Sequence, residues 1–102
     1  WCGPCRAEIP GFLEVYKRYK SQGLEIIGIS LDEGGWHDVK PFIGKFNITY
    51  PVGLGTRKVV RDYGGITGIP TTFIVDRKGN VVSGHVGYFP QGLLETEIKK
   101  VL

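Results

Sequence analysis

The sequence predicts an α/β fold built on a mixed β-sheet flanked by helices. Apolar residues at helical spacing alternate along the chain with short runs of β-branched residues, which is the pattern of strands joined through helices. One run, Leu24–Leu31 (LEIIGISL), is almost continuously apolar, as a parallel strand buried on both faces would be. The last two runs flank Asp76-Arg77-Lys78-Gly79-Asn80, a strong turn signal that makes an antiparallel pair.

In chain order, Ile9, Phe12, Leu13, Tyr16 and Tyr19 share one face of a helix from Cys5 to Lys20, with Glu14, Lys17, Arg18 and Lys20 on the other. Pro4 suits its first turn, Lys17 to Lys20 suit its C-terminal dipole, and Gly23 is its stop. Pro10 interrupts the pattern and should kink the helix by removing a backbone donor. After the Leu24–Leu31 strand, Trp36, Val39, Ile43 and Phe46 define a second helix ended by Asn47, and residues 48–52 extend again. Thr56 caps a short helix carrying Val59, Val60 and Tyr63 and closed by Gly64-Gly65. Strands over Thr71–Val75 and Val81–Val86 follow, and residues 90–102 form a last helix with Leu94, Ile98 and Val101 inward.

The 102 residues, 41% of them hydrophobic, suffice for one domain spanning 1–102 with one core, and no repeat or low-complexity run divides them. A net charge of +3 is mild, and Lys17, Arg18, Lys20, Arg57, Lys58, Arg61, Lys99 and Lys100 are interleaved with acids as on solvated helix faces. No basic stripe with aromatics argues for a nucleic-acid partner, and no apolar stretch approaches the ~18 residues of a membrane span. The chain opens on Trp1 rather than Met, with no leader pattern before the cysteines, so a longer polypeptide is expected.

Both cysteines lie in the opening Trp1-Cys2-Gly3-Pro4-Cys5. A disulfide between them closes a very small loop and constrains the unfolded chain little, so chemistry explains the pair better than stapling. At a helix start, orphan N–H groups and the positive end of the macrodipole favour thiolate over thiol, which makes Cys2 the candidate nucleophile. Cys5, one turn later, can resolve a mixed disulfide formed on Cys2. Gly3 allows close approach of a partner backbone and Pro4 stiffens the helix start. Trp1 is either an apolar contact surface beside the motif or a core aromatic. Half of a zinc site is the main rival, but zinc needs about four ligands. Only His37 and His85 remain, without paired spacing, so no metal is expected. A haem attachment is excluded because Arg6, not His, follows Cys5. His37, at a helix start, and His85, among apolar strand neighbours, read as structural or exposed.

Trp1-Cys2-Gly3-Pro4-Cys5, the Arg6-Ala7-Glu8-Ile9-Pro10 continuation, the segment 33–56 and Gly68-Ile69-Pro70-Thr71-Thr72-Phe73-Ile74-Val75-Asp76 together resemble the thioredoxin superfamily. More narrowly, the chain is similar to the TlpA/ResA-like thiol-disulfide oxidoreductases, on its AhpC/TSA-related branch. The resemblance implies a thioredoxin-like fold with a helical insertion and a cis Pro70 facing the cysteine pair. Ile69 and Pro70 would line the cleft, the Ile69 backbone offering strand-like hydrogen bonds to a partner peptide; a Pro70 that merely starts a strand is the plainer alternative. In that family a central strand leads directly into the Trp-Cys pair, between the strands matching Leu24–Leu31 and Thr71–Val75. That strand would precede Trp1, making the domain N-terminally incomplete, and without it two strand edges would be unpaired. An acidic residue there would assist Cys5; Glu8, Asp32 and Glu33 read as weak substitutes, as solvated charges.

The implied activity is dithiol-disulfide exchange with no cofactor beyond the redox-active Cys2–Cys5 pair. The implied partners are protein thiols and disulfides, apocytochrome c among them, with a membrane or soluble thiol reductase as electron donor. The setting would be extracytoplasmic, and reduction is favoured by the thioredoxin-like Gly3-Pro4. A redox-inert binding module and a peroxiredoxin-like peroxidase are the alternatives. The second is disfavoured by the Cys-x-x-Cys, since such peroxidases use a single peroxidatic cysteine in another motif.

Overall fold

The computed structural model describes residues 2–31 and 34–102. Residues up to Leu24 together with Thr67–Leu102 form one compact unit, and Glu25–Ile66 form the other.

The first unit is organised around helix α1, Gly3–Tyr19, which passes into a 3-10 turn at Lys20–Gln22 and stops at Gly23 in the left-handed region, φ 100°. The helix runs on through Pro10, which is exposed: the missing N–H costs one hydrogen bond without ending the element. Strands β3, Thr71–Val75, and β4, Val81–Val86, pair antiparallel, with Thr72 opposite His85 and an irregularity at Ile74/Val75. Their turn is held by Asp76, whose Oδ1 accepts the Lys78 and Asn80 amides at 2.9 Å each. Gly79 supplies the left-handed residue, φ 86°, that the turn requires. Arg77 Nη2 then donates to the Gln22 carbonyl at 2.9 Å, tying the hairpin tip to the end of the α1 turn.

Helix α4, Gln91–Lys99, closes this unit. Val15, Ile74, Phe89, Leu94 and Ile98 form the core cluster, with Phe12, Tyr19, Leu24, Val101 and Leu102 packed around it. Phe12 meets Phe89 edge-on with ring centres 6.4 Å apart, a favourable aromatic geometry. At the far end of α1, Tyr19 and Arg18 both donate to Glu95 of α4, the guanidinium at 3.2 Å. The phenol hydrogen bond, ahead of the nearby Arg18 and Lys99 charges, holds the Glu95 carboxyl below its ordinary range.

In the second unit β1, Gly28–Ser30, runs parallel to β2, Val52–Leu54, and helix α2, Trp36–Phe46, connects them. Asn47 ends α2 in the left-handed region. Thr56 caps α3, Arg57–Asp62, by accepting the Val59 amide at 3.1 Å. A Cβ on Gly28 would press the Tyr50 ring at 3.3 Å, so glycine there admits the buried Tyr50. The parallel pair and the antiparallel hairpin thus supply both strand senses of the expected mixed arrangement.

One expectation is corrected. The first strand is not Leu24–Leu31 buried on both faces: only three residues enter the ladder, and Ile27, Ile29 and Leu31 are exposed. Among the described residues β1 bonds only to β2 and β3 only to β4. In the segment 48–52 the ladder is confined to its end: β2 starts at Val52, just after the Pro51 carbonyl accepts the Gly28 amide at 2.9 Å.

Leu94, 2% exposed at the centre of the cluster, should be costly to truncate. Leu94→Ala is expected to lower stability by about 2–5 kcal/mol. Urea titration should show a lower midpoint at an unchanged slope.

Candidate active site

Cys2 occupies the N-cap of α1, in extended conformation (φ −81°, ψ 103°), and its Sγ accepts the Cys5 amide at 3.2 Å. A sulfur thereby fills the role usually taken by a Ser, Thr or Asp oxygen, satisfying one of the four N–H groups a helix start leaves open. Cys2 and Cys5 are joined as a disulfide, their Cα atoms 5.2 Å apart. The first turn of α1 contains no acidic residue, so no carboxylate there offsets the positive end of the dipole at Cys2. Gly3 is exposed, and a Cβ built on it would meet nothing within 4 Å. Glycine is therefore not demanded by the chain's own packing. Pro4 sits in the first turn as expected, where its missing donor costs no helical bond. Trp1 lies outside the described residues.

The Ile69–Pro70 peptide is cis. Pro70 is buried while Ile69 is 37% exposed. The segment is anchored on both sides: the Pro70 carbonyl accepts the Gly87 amide at 2.7 Å, and the Thr71 hydroxyl donates to the Gly68 carbonyl. Ile69 and Pro70 belong to the same compact unit as the cysteines.

Glu8 was expected as a solvated charge; the structure corrects this. It is 8% exposed, and its Oε2 accepts the Phe89 amide at 3.0 Å. Three residues beyond Cys5, it falls on the same helix face, with about 5–6 Å between such Cβ atoms. Burial pushes its carboxyl above the ordinary range, opposed by the Phe89 hydrogen bond and by His85. A signal existed in the sequence: Glu8 lies on the helix stripe of Phe12 and Val15 rather than on that of Lys17 and Arg18. Asp32 and Glu33 lie outside the described residues. Of the histidines, His37 is nearly fully exposed beside Asp38, Nδ1 to Oδ1 3.5 Å, whereas His85 stacks on Phe89 with ring centres 4.4 Å apart. Among the described residues no three His, Cys, Asp or Glu side chains converge on a metal-sized site, and no helix is long and apolar enough to cross a membrane.

The model of the AhpC/TSA family matches residues 1–83. The chain belongs to the AhpC/TSA family. Within it, the thiol-disulfide oxidoreductase ResA of Bacillus anthracis is 35% identical over 102 residues, covering 99% of this chain and 58% of ResA. ResA of Bacillus subtilis (strain 168) is 33% identical over 94 residues, covering 92% of this chain and 52% of the relative. The chain thus spans little more than half the length of the curated relatives it matches. The backbone agrees as well. A thioredoxin-family thiol:disulfide interchange protein from Chlorobium tepidum TLS superposes with TM-score 0.89 at 38% identity, over 99% of this chain and 72% of that one. StoA of Bacillus subtilis superposes with TM-score 0.79 at 26% identity, over 94% and 73% respectively. The fold of this AhpC/TSA member is thioredoxin-like.

The buried Glu8 makes stability depend on pH in a stated direction. Between the ordinary carboxyl range and the raised folded value, the folded state holds a proton that the unfolded chain has released, so unfolding becomes easier as pH rises through that window. Glu8→Gln keeps an acceptor for the Phe89 amide and removes the charge. In thermal melts its melting temperature should exceed the wild type's by a margin absent at pH 4, growing through the window and constant above it; a margin independent of pH would contradict the assignment.

Proposed function

We propose that this chain is the thiol-exchanging domain of a thiol-disulfide oxidoreductase that reduces protein disulfides through Cys2 and Cys5. The observation that carries the exchange chemistry is the N-cap: the Cys2 sulfur accepts a helix N–H at a helix start with no acidic residue in its first turn; the reducing direction rests on the thioredoxin-like Gly3-Pro4 between the cysteines. The same donors stabilise a thiolate when the pair is reduced. The Cys2 thiolate attacks one sulfur of a partner disulfide, forming a mixed disulfide and releasing the partner's other sulfur as a thiolate, which takes up a proton. Glu8, one turn beyond Cys5, takes the Cys5 proton. The Cys5 thiolate then attacks Cys2 Sγ, the partner leaves as a thiolate, and the Cys2–Cys5 disulfide carries the two electrons' worth of oxidation. A second thiol protein must return those electrons.

Ile69 and Pro70 form the peptide-docking edge in this reading, with the half-exposed Ile69 offering backbone bonds to an extended partner. Gly3, open in front of the helix, leaves space for that partner's backbone, and Trp1 adds an apolar contact. The relatives named ResA and the thiol:disulfide interchange proteins support exchange on protein thiols. An extracytoplasmic setting, apocytochrome c as substrate and a membrane thiol reductase as donor complete the proposal. No organic cofactor or metal enters any step.

In a protein-disulfide reduction assay, Cys2→Ser should fall to the uncatalysed background. Cys5→Ser should accumulate a covalent mixed disulfide seen by non-reducing gel and mass. Full turnover by Cys2→Ser, or absence of the adduct, would overturn the assigned roles. Equilibration in thiol buffers is expected to give a potential near thioredoxin's ~−270 mV, whereas one near ~−120 mV would make the protein an oxidant.

A further inference from the structure

His85 is not explained by its strand. Its ring lies nearly parallel to that of Phe89, at 4.4 Å and 28°, and its Nε2 is 2.9 Å from the Tyr88 carbonyl oxygen. A carbonyl only accepts, so Nε2 carries the hydrogen and Nδ1 is left to take a second proton. The next atom along the chain is the Phe89 amide nitrogen, whose hydrogen goes to Glu8 Oε2 at 3.0 Å. Both hydrogen bonds therefore meet on one peptide group, its oxygen accepting from the imidazole and its N–H donating to the carboxylate. Phe89 is 2% exposed and Glu8 8% exposed, so the donor side of this peptide is poorly screened, while its His85 side meets solvent.

Hydrogen bonds in series polarise one another, and more strongly at low local dielectric. A cationic His85 draws electron density toward the Tyr88 oxygen, making the Phe89 N–H a better donor to an ionised Glu8, and its charge adds direct attraction. We propose that His85 is a positioning residue for the active-site carboxyl, coupled to Glu8 through the Tyr88–Phe89 peptide, so that a cationic His85 favours the ionised form of Glu8 against the burial that disfavours it.

On α1, Cys5 precedes Glu8 by one turn and is bonded to Cys2 in the oxidised protein. On β3, Thr72 stands opposite His85 and carries no charge. In the connecting segment Tyr88 presents its carbonyl while its side chain is half exposed. From α4, Gln91 packs beside Gly11 of α1 and is neutral. The charged cluster of that helix, Glu95 with Arg18 and Lys99, gathers near residue 18, about 15 Å along the axis from Glu8 at 1.5 Å per residue.

The relevance of the coupling to thiol exchange rests on the function proposed above, but the coupling itself is measured on the oxidised protein, where no thiol titrates and nothing turns over. Carbon-detected NMR of the Glu8 carboxyl would be followed across pH in the wild type, His85→Phe and His85→Gln. His85→Phe retains ring stacking and His85→Gln retains a donor; backbone amide spectra establish that each is folded. The Glu8 midpoint is expected to move up in both His85 variants. The pH-dependent shift of the Phe89 amide proton should shrink in the same variants. A Glu8 midpoint identical in wild type and folded His85 variants would overturn the proposal whatever the turnover assay shows.

Discussion

The docking of one stripe of α1 onto the hairpin and α4 is the constraint from which the rest of the first unit follows. Val15 is fully buried at the middle of that contact, with Ile74, Phe89, Leu94 and Ile98 around it. Hydrophobic contact alone would leave the helix free to slide or turn about its axis. Polar ties remove that freedom: Tyr19 and Arg18 fix its C-terminal end to Glu95, and Glu8 fixes its N-terminal half to the Phe89 amide. The cysteine pair inherits its position from these ties, because it sits on the first turn of the same rod.

Glu8 shows how fold and chemistry share a residue. Its carboxylate costs desolvation in a chain that is otherwise economical with buried charge, and one amide donor offsets only part of that cost. The remaining imbalance keeps a proton-exchanging group one turn from Cys5. A leucine there would avoid the desolvation but orphan the buried Phe89 N–H and remove the proton acceptor one turn from Cys5.

Much of this was legible in the sequence because local rules governed it. The Cys2-Gly3-Pro4-Cys5 helix start, the Thr56 cap, the Asn47 stop, the 76–80 turn and the inward Leu94 and Ile98 each depend on residues within a few positions of one another. Val15 is less legible than the aromatics of α1 because its side chain is small, although it lies three residues past Phe12 and four before Tyr19 on the buried stripe. The first strand was overextended because an apolar run says how much burial a strand seeks and not how many neighbours it finds; Ile27, Ile29 and Leu31 are exposed beside a single partner strand. The burial of Glu8 has a related cause: the 87–90 segment folds back across α1 and brings the Phe89 amide, 81 residues away in sequence, onto its carboxyl, a contact that no local pattern encodes.

The sulfur at the head of α1 also makes the helix a participant in the redox equilibrium. The N-cap acceptor is a neutral disulfide sulfur in the oxidised protein and an anion when Cys2 is reduced and ionised, and an anion is the better acceptor at that end of the dipole. By a thermodynamic cycle, any preference of the folded chain for the reduced pair over the oxidised one raises the couple's potential by the equivalent free energy. Changes that favour the Cys2 thiolate at the N-cap therefore push the protein toward taking electrons, and changes that disfavour it push the protein toward giving them. Charge and hydrogen-bond donors in the first turn of α1 become a means of setting redox direction without touching either cysteine.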